Sequence, residues 1–261
     1  MTKRAYPTSL TNPQWKIIRA ELPRNRRGRP PLYAMRAIVD ALLYLVVSGV
    51  QWRLLPRDFP KWTLVYYHFR RFHRLGLWRR IAQVLRIAVR QKSGRSKHAH
   101  AGVLDSQSVK STCVPGVRGY DCAKRVKGRK RHVLGDTQGL PLEILVTPAN
   151  VSEGAGAKQL LRRAGRKRGA LKRVRRVWAD AGYQKGIVTW CRDKWGLVLE
   201  IVTAQPGQKG FAVQPRRWVS ERTFSWMSAN RRFAQHYEVR CDHSESLTWI
   251  AIIRLCLRRL A

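Results

Sequence analysis

Residues 173–203 read RVRRVWADAGYQKGIVTWCRDKWGLVLEIVT. The spacing predicts a strand over 173–179 ending at Asp180, a helix over 185–195 closed by Gly196, and a strand over 197–203. Strand, helix and strand in succession point to an α/β domain. Working outward, residues 101–104 form a strand leading into Asp105. Residues 131–134 and 142–146 flank Gly135-Asp136-Thr137-Gln138-Gly139, a β-hairpin with its turn. Residues 155–164 suit a helix, and residues 216–233 a long one. The order is strand, hairpin, helix, strand, helix, strand, helix.

Upstream the texture changes. Residues 91–100 are polar, with Gly and Ser, and read as a linker. Before them the pattern is helical. Asn12 reads as a helix cap, with Pro13 in the first turn. Residues 24–31 form a basic breaker. Residues 33–47 are apolar nearly all round, as in a buried helix ended by Ser48-Gly49. Trp62, Val65, Tyr66, Phe69 and His73 then recur at helical spacing, with Arg70, Arg71 and Arg74 on the opposite face. Gly76 separates a further helix. This arrangement suits a helix-turn-helix module whose arginines meet DNA phosphates or base edges. The expected domains are therefore 1–95, all-α, and 96–261, α/β.

Composition narrows the function. The chain has 53 Lys and Arg against 15 Asp and Glu, a formal net charge of +38 over 261 residues. An excess on this scale calls for a polyanion, most simply nucleic acid. The apolar fraction of 44% and ten Trp argue for a folded chain rather than a basic tail. No apolar run approaches the roughly 20 residues needed to span a membrane. No signal-like segment opens the sequence, so a cytoplasmic, nucleoid-associated protein is expected. Five widely spaced Cys without a C-x-x-C argue against a disulfide framework or a zinc site.

In so basic a chain each acid is informative. Asp105 and Asp180 are each expected at the carboxyl end of a strand, where open α/β sheets place their sites. If the strands are neighbours the two anions repel unless a cation lies between them. Oxygen donors of this kind select Mg²⁺ or Mn²⁺. A third acid would complete a site for two ions, and Glu221 is the best candidate. Glu221 nevertheless lies off the core stripe of its helix, formed by Val219, Thr223, Trp226 and Met227. It reaches the two Asp only if that helix crosses the sheet obliquely or lies at its edge. Asp136 and Glu143 are rivals; Asp136 reads as a turn residue, Glu153 as a helix cap and Asp121 as a partner of nearby bases. The basic run Lys124-Arg125-Val126-Lys127-Gly128-Arg129-Lys130-Arg131-His132 adjoins this site. It suits a phosphate-gripping role for Lys127, Arg129, Lys130 and Arg131. A second basic run over 162–176 could also track a DNA backbone.

The same residues carry a family resemblance. Gly49-Val50-Gln51-Trp52-Arg53-Leu54-Leu55-Pro56, Leu104-Asp105-Ser106-Gln107-Ser108, Val146-Thr147-Pro148-Ala149-Asn150-Val151, Trp178-Ala179-Asp180-Ala181-Gly182-Tyr183 and Arg217-Trp218-Val219-Ser220-Glu221-Arg222-Thr223-Phe224 recur together. Jointly they resemble bacterial insertion-sequence transposases with a DDE catalytic core, of the "IS-five" group within the "IS-four-like" superfamily. The resemblance implies an RNase H-like (integrase-like) α/β catalytic domain preceded by an all-α helix-turn-helix-like domain. It implies metal ligation by Asp105, Asp180 and Glu221, and DNA contacts by Arg217, with Arg222 beside it on the motif. Some relatives carry Tyr and Lys around the third acid; here Val213 and Ser228 stand there, which argues against a hairpin route that uses them.

The function expected is a transposase. It would bind the terminal inverted repeats of its element, cut at the ends with two Mg²⁺ or Mn²⁺ ions, and join the freed 3′ hydroxyls to double-stranded target DNA. Paired ends imply a homodimer in the active complex. The rivals are a non-catalytic DNA-binding protein, an RNase H-like structure-selective nuclease and a basic scaffold of an RNA particle. A Ser or Tyr recombinase would need a nucleophile such as Ser106 or Tyr183.

Overall fold

The computed structural model describes residues 6–23, 32–166, 169–183, 185–203 and 218–261. The basic breaker at 24–31, part of the second basic run, Val213 and Arg217 lie outside them. Contacts divide the chain into two compact units. One is Met1–Gly94 with Met227–Ala234 and Ser246–Ala261; the other is Arg95–Trp226 with Gln235–Glu245. The texture change at 91–100 predicts a sequential division, whereas the contacts return residues 246–261 to the first unit.

In the first unit, α1 (Asn12–Glu21) is capped by Thr11, not Asn12. The Thr11 hydroxyl accepts from the Gln14 amide at 3.1 Å, and the Gln14 side chain accepts from the Thr11 amide at 2.9 Å. The buried helix is α2 (Met35–Ser48), ended by Gly49 at φ 74°, a left-handed cap that glycine adopts without strain. Before α3 (Trp62–Arg74) the chain takes residues 49–61, longer than the roughly 3–4-residue turn of a helix-turn-helix. Within that connection a 3-10 turn over Trp52–Leu54 seats the Trp52 ring 5.0 Å from Tyr66 and 5.4 Å from Phe69. Arg232 donates to the Val50 carbonyl at 2.9 Å, so the Asn230-Arg231-Arg232 segment steadies the same connection. The tight turn, Leu75-Gly76, instead joins α3 to α4 (Leu77–Lys92).

The second unit is built on one six-stranded sheet: β1 (Ala101–Lys110), β2 (Gly119–Asp121), β3 (Val126–Asp136), β4 (Pro141–Pro148), β5 (Arg176–Asp180) and β6 (Val198–Val202). β3 lies antiparallel to β1 and β4, while β5 is parallel to both β1 and β6. Consequently β1, β4, β5 and β6 all point the same way. The hairpin turn is held by Asp136, whose carboxylate accepts from the amides of Gln138 and Leu140, each at 2.9 Å. Alternation along β1 sends Leu104 into an apolar core with Leu160, Val177 and Leu199, under α5 (Glu153–Ala164) and α6 (Lys185–Trp195). It sends Val103 to the other face, with Trp178 and Val219 of α7 (Trp218–Ser228).

Two sequence expectations change here. The helix expected over 216–233 ends at Ser228, because extended Asn230 starts a separate 3-10 turn over Arg231–Phe233. The 20-residue α8 (Cys241–Leu260) was not foreseen. Its Leu247, Ile250, Ile253 and Leu257 are buried at helical spacing.

Candidate active site

β1 does not stop at Asp105. It runs on to Lys110 because residues 105–110 keep their pairing with β3, from Asp105↔Val133 to Lys110↔Gly128. The β1–β5 ladder, by contrast, ends at Leu104↔Ala179. Asp105 and Asp180 are each the next residue beyond that last pair. The register therefore sets two carboxylates side by side on the face that carries Val103 and Trp178, where the two strands part.

α7 delivers the third acid. Val219 packs on Val103 and Trp178, and the Thr223 hydroxyl donates to the Gly139 carbonyl of the hairpin turn at 2.8 Å. The helix thus runs from β5 toward the hairpin. Ser220 fastens it to the site by donating to Asp105 Oδ2 at 2.6 Å. Glu221, one residue on, is exposed into an open cleft of about 720 Å³. Asp105, Asp180, Glu153, Gln107, Asn150 and Lys124 line it too.

The electrostatics suit a cation. Burial lifts the Asp105 carboxyl above its ordinary value. Hydrogen bonds from Ser220 and the Ser106 amide oppose the rise, Asp180 adds to it and Lys124 reduces it. Asp105 and Asp180 side by side, with a third acid lining the same cleft, are an oxygen-donor set of the kind that suits Mg²⁺ or Mn²⁺. Beneath them Tyr183 is 1% exposed. Burial and the charges of Asp105, Glu153 and Asp180 push its phenol well above the usual value. It is therefore unsuited to act as a nucleophile. Ser106 is also buried and is engaged as a donor to Glu153.

Glu153 is not the helix cap that its position in the sequence suggests. The helix cap is Ser152, whose hydroxyl accepts from the Ala155 amide at 3.3 Å. Glu153 instead receives the Ser106 hydroxyl at 3.0 Å and the Lys124 ammonium at 2.9 Å. Burial would raise its carboxyl, but these partners hold it below the ordinary value. The signal was strand direction. β4 runs parallel to β1 and β5, so the residues after it emerge at the same end of the sheet.

The basic run needs correction. Arg129, Lys130 and Arg131 are 3%, 5% and 1% exposed, because β3 is a central strand covered on both faces. Arg129 donates to the carbonyls of Val117, Glu238 and Val239 at 2.9, 2.7 and 2.6 Å. Lys130 pairs with Asp121 at 3.0 Å and donates to the Val151 carbonyl at 3.1 Å. Burial lowers Arg131 to about 10. Arg129 and Arg131 are enclosed in the fold, and Lys130, although it borders the cleft, is committed to Asp121. Arg222 is likewise occupied: its guanidinium lies 4.4 Å from the Trp218 ring centroid and 4.9 Å from that of Trp226, and it donates to the Gln138 carbonyl at 3.0 Å. Lys127 is exposed, as are Arg70 and Arg74 on α3, with Arg71 half-buried.

Asp121 carries a pH dependence. Burial raises its carboxyl, but hydrogen bonds from Ser108, Lys130 and the Lys124 amide prevail and bring it from 3.8 to about 2. Its contribution is complete above the unfolded value and is lost as pH falls from about 4 to about 2. That loss amounts to about 2 kcal/mol. Urea unfolding at pH 5 and pH 2 should reveal it, and Asp121→Asn should remove it.

Fold and cleft define an α/β protein with a carboxylate site where parallel strands part. Comparisons with known proteins name the family. The family described as "Transposase DDE domain" matches residues 97–256, and that described as "Putative transposase of IS4/5 family" matches residues 10–82. The chain belongs to the IS4/IS5-family DDE transposases. It is 28% identical over 137 residues, 51% of its length, to a Burkholderia cepacia protein named "Putative transposase for insertion sequence element IS402". The match spans 64% of that relative. No solved structure matches the chain. Among the described residues, no helix is long and apolar enough to cross a membrane.

Proposed function

We propose that the protein is the transposase of an insertion sequence. It binds the terminal inverted repeats of the element, cuts DNA at their ends and transfers the freed strands to target DNA. One observation carries the catalytic half of this reading: the register of β1 and β5 sets Asp105 beside Asp180, with Glu221 of α7 facing the same cleft. The strand order β3-β1-β5-β6, with β4 on β3 and only β3 reversed in the run β4-β3-β1-β5-β6, supports an RNase H-like fold for the second unit.

Asp105, Asp180 and Glu221 hold two Mg²⁺ or Mn²⁺ ions in this reading. Bound there, such ions activate the attacking oxygen and stabilise the leaving one. In the first step water attacks phosphorus, the bond to the 3′ oxygen breaks and that oxygen leaves as a hydroxyl. In the second step the 3′ oxygen attacks a target phosphodiester, forming one P–O bond as another breaks. The protein itself fixes the carboxylates through Ser220 and Gly182, and lines the cleft with Gln107 and Asn150 as polar contacts for the strand. The active complex holds two protomers, one for each end.

The test is a DNA fragment ending in the inverted repeats that flank the gene, incubated with protein and Mg²⁺. Cut 3′ hydroxyl ends and joined strands are expected. Binding without cleavage would leave a DNA-binding protein; cutting without need of the repeats, and without joining, would leave a nuclease. The DNA-binding half is tested on α3. Removing both Arg70 and Arg74 by substitution with Ala should reduce the slope of log affinity against log salt by about 2. An unchanged slope would remove α3 from the DNA interface.

A further inference from the structure

Glu153 enters the cleft from the face opposite Glu221. Its two oxygens are used differently. Oε1 accepts from Lys124 Nζ at 2.9 Å and from the Ser106 hydroxyl at 3.0 Å. Oε2 lies against the Cα of Gly182, in the space a side chain would fill. A Cβ on Gly182 would collide with Glu153 Oε2 and stand 3.1 Å from Asp180 Oδ1. The glycine thus allows the carboxylates of Glu153 and Asp180 to converge. Asp180 is fixed in turn by the Gly182 amide, which donates to Oδ1 at 3.0 Å.

Lys124 is the counter-charge. It lies in the turn between β2 and β3, with its side chain 42% exposed. Besides Glu153 it donates to the Ser106 carbonyl at 3.4 Å, and the charges of Asp105 and Asp121 also act on it. Lys130, which also lines the cleft, is buried and committed to Asp121. A partly exposed ammonium on a flexible stem can exchange one anionic partner for another.

We propose that Glu153 is a fourth carboxylate of the metal site and that Lys124 is its exchangeable counterion. Without a divalent ion, Lys124 neutralises Glu153. With the ion bound beside Asp180, Glu153 turns its charge to the metal, and Lys124 is freed to meet the phosphate of the DNA strand. Ser106 keeps Glu153 oriented in both states. The inference rests on the metal-site reading of Asp105 and Asp180 and adds to it a ligand and a phosphate contact.

The experiment measures Mn²⁺ affinity by electron paramagnetic resonance, on the full-length protein without DNA, with melting temperature recorded alongside. Glu153→Gln should weaken Mn²⁺ binding by about tenfold. Gly182→Ala removes no charge, but should weaken it similarly by pushing the Glu153 carboxylate aside. Lys124→Met should instead tighten Mn²⁺ binding several-fold by removing the competing cation, while weakening DNA binding in the presence of metal. In a Glu153→Gln background, Lys124→Met should lose most of its effect on Mn²⁺. Unchanged Mn²⁺ affinity in Glu153→Gln and Gly182→Ala, whatever the melting temperature, overturns the proposal. So does weaker Mn²⁺ binding in Lys124→Met. Asp105→Ala separates the two levels. If it leaves Mn²⁺ binding intact, the metal-site reading itself fails; if it abolishes binding while Glu153→Gln does not alter it, only the role of Glu153 fails.

Discussion

Asp105→Asn should abolish strand cleavage, by about a thousandfold or more, and at the same time raise the melting temperature of the metal-free protein at pH 7. The loss follows from the proposed metal ligation by Asp105 at the point where β1 and β5 part. The gain follows from the sign of the carboxyl shift. Burial raises the folded-state value of Asp105 above 3.8. The ionised form is therefore disfavoured in the fold relative to the unfolded chain. That penalty is absent below the unfolded value and complete above the folded one. Asn never carries it, so the gain should be present at pH 7 and vanish below about pH 3.8. Thermal melts in chelator at both pH values check the sign, and an end-cleavage assay checks the loss. A lower melting temperature at pH 7 would make Asp105 a structural hydrogen-bond acceptor for Ser220 and Ser106. Cleavage surviving the substitution would remove it from the site.

Lys130→Ala should destabilise the protein by about 3–5 kcal/mol, because it strands the buried Asp121 carboxylate without its ammonium partner. Lys127→Ala, three residues from Lys124 in the same basic run but exposed, should change stability by no more than about 0.5 kcal/mol. Urea unfolding at pH 7 measures both. DNA affinity reads the other way. Lys127→Ala should weaken binding at low salt in a fold of unchanged stability, whereas any loss with Lys130→Ala should track unfolding. A Lys130→Ala protein of full stability with weakened DNA binding would restore the phosphate-gripping role that burial contradicts.

These two substitutions show why charge alone misleads on β3. The run from Lys124 to Arg131 looks uniform in the sequence, yet its members have separate fates. Lys124 faces the cleft, Lys127 faces solvent, Arg129 and Arg131 are enclosed, and Lys130 is committed to Asp121. Alternation cannot separate them, because both faces of a central strand are covered. What covers β3 comes from distant residues: Glu238 and Val239 offer carbonyls to Arg129, and α5 seats Gly156 against His132 on the opposite face. Glu153 was obscured in a different way. Its position at the start of a helix gives it an ordinary capping role, and only the presence of Ser152 as the actual cap releases it.

By itself the sequence determined the kinds of element and the chemistry at their ends. Apolar periodicity placed α2, α3 and α6. Turn chemistry at Asp136 and Gly139 placed the hairpin. Scarcity of acids and their motifs singled out Asp105, Asp180 and Glu221. These are local properties, set by backbone geometry and by which side chains can be buried. The tertiary structure alone decided which carboxylates meet and which cations are available. The register that ends the β1–β5 ladder one residue before Asp105 and Asp180, the course of α7 toward the hairpin, and the close approach at Gly182 are all pairings between segments far apart in the chain. Such pairings are fixed by packing and hydrogen bonding across the sheet, and no local pattern records them.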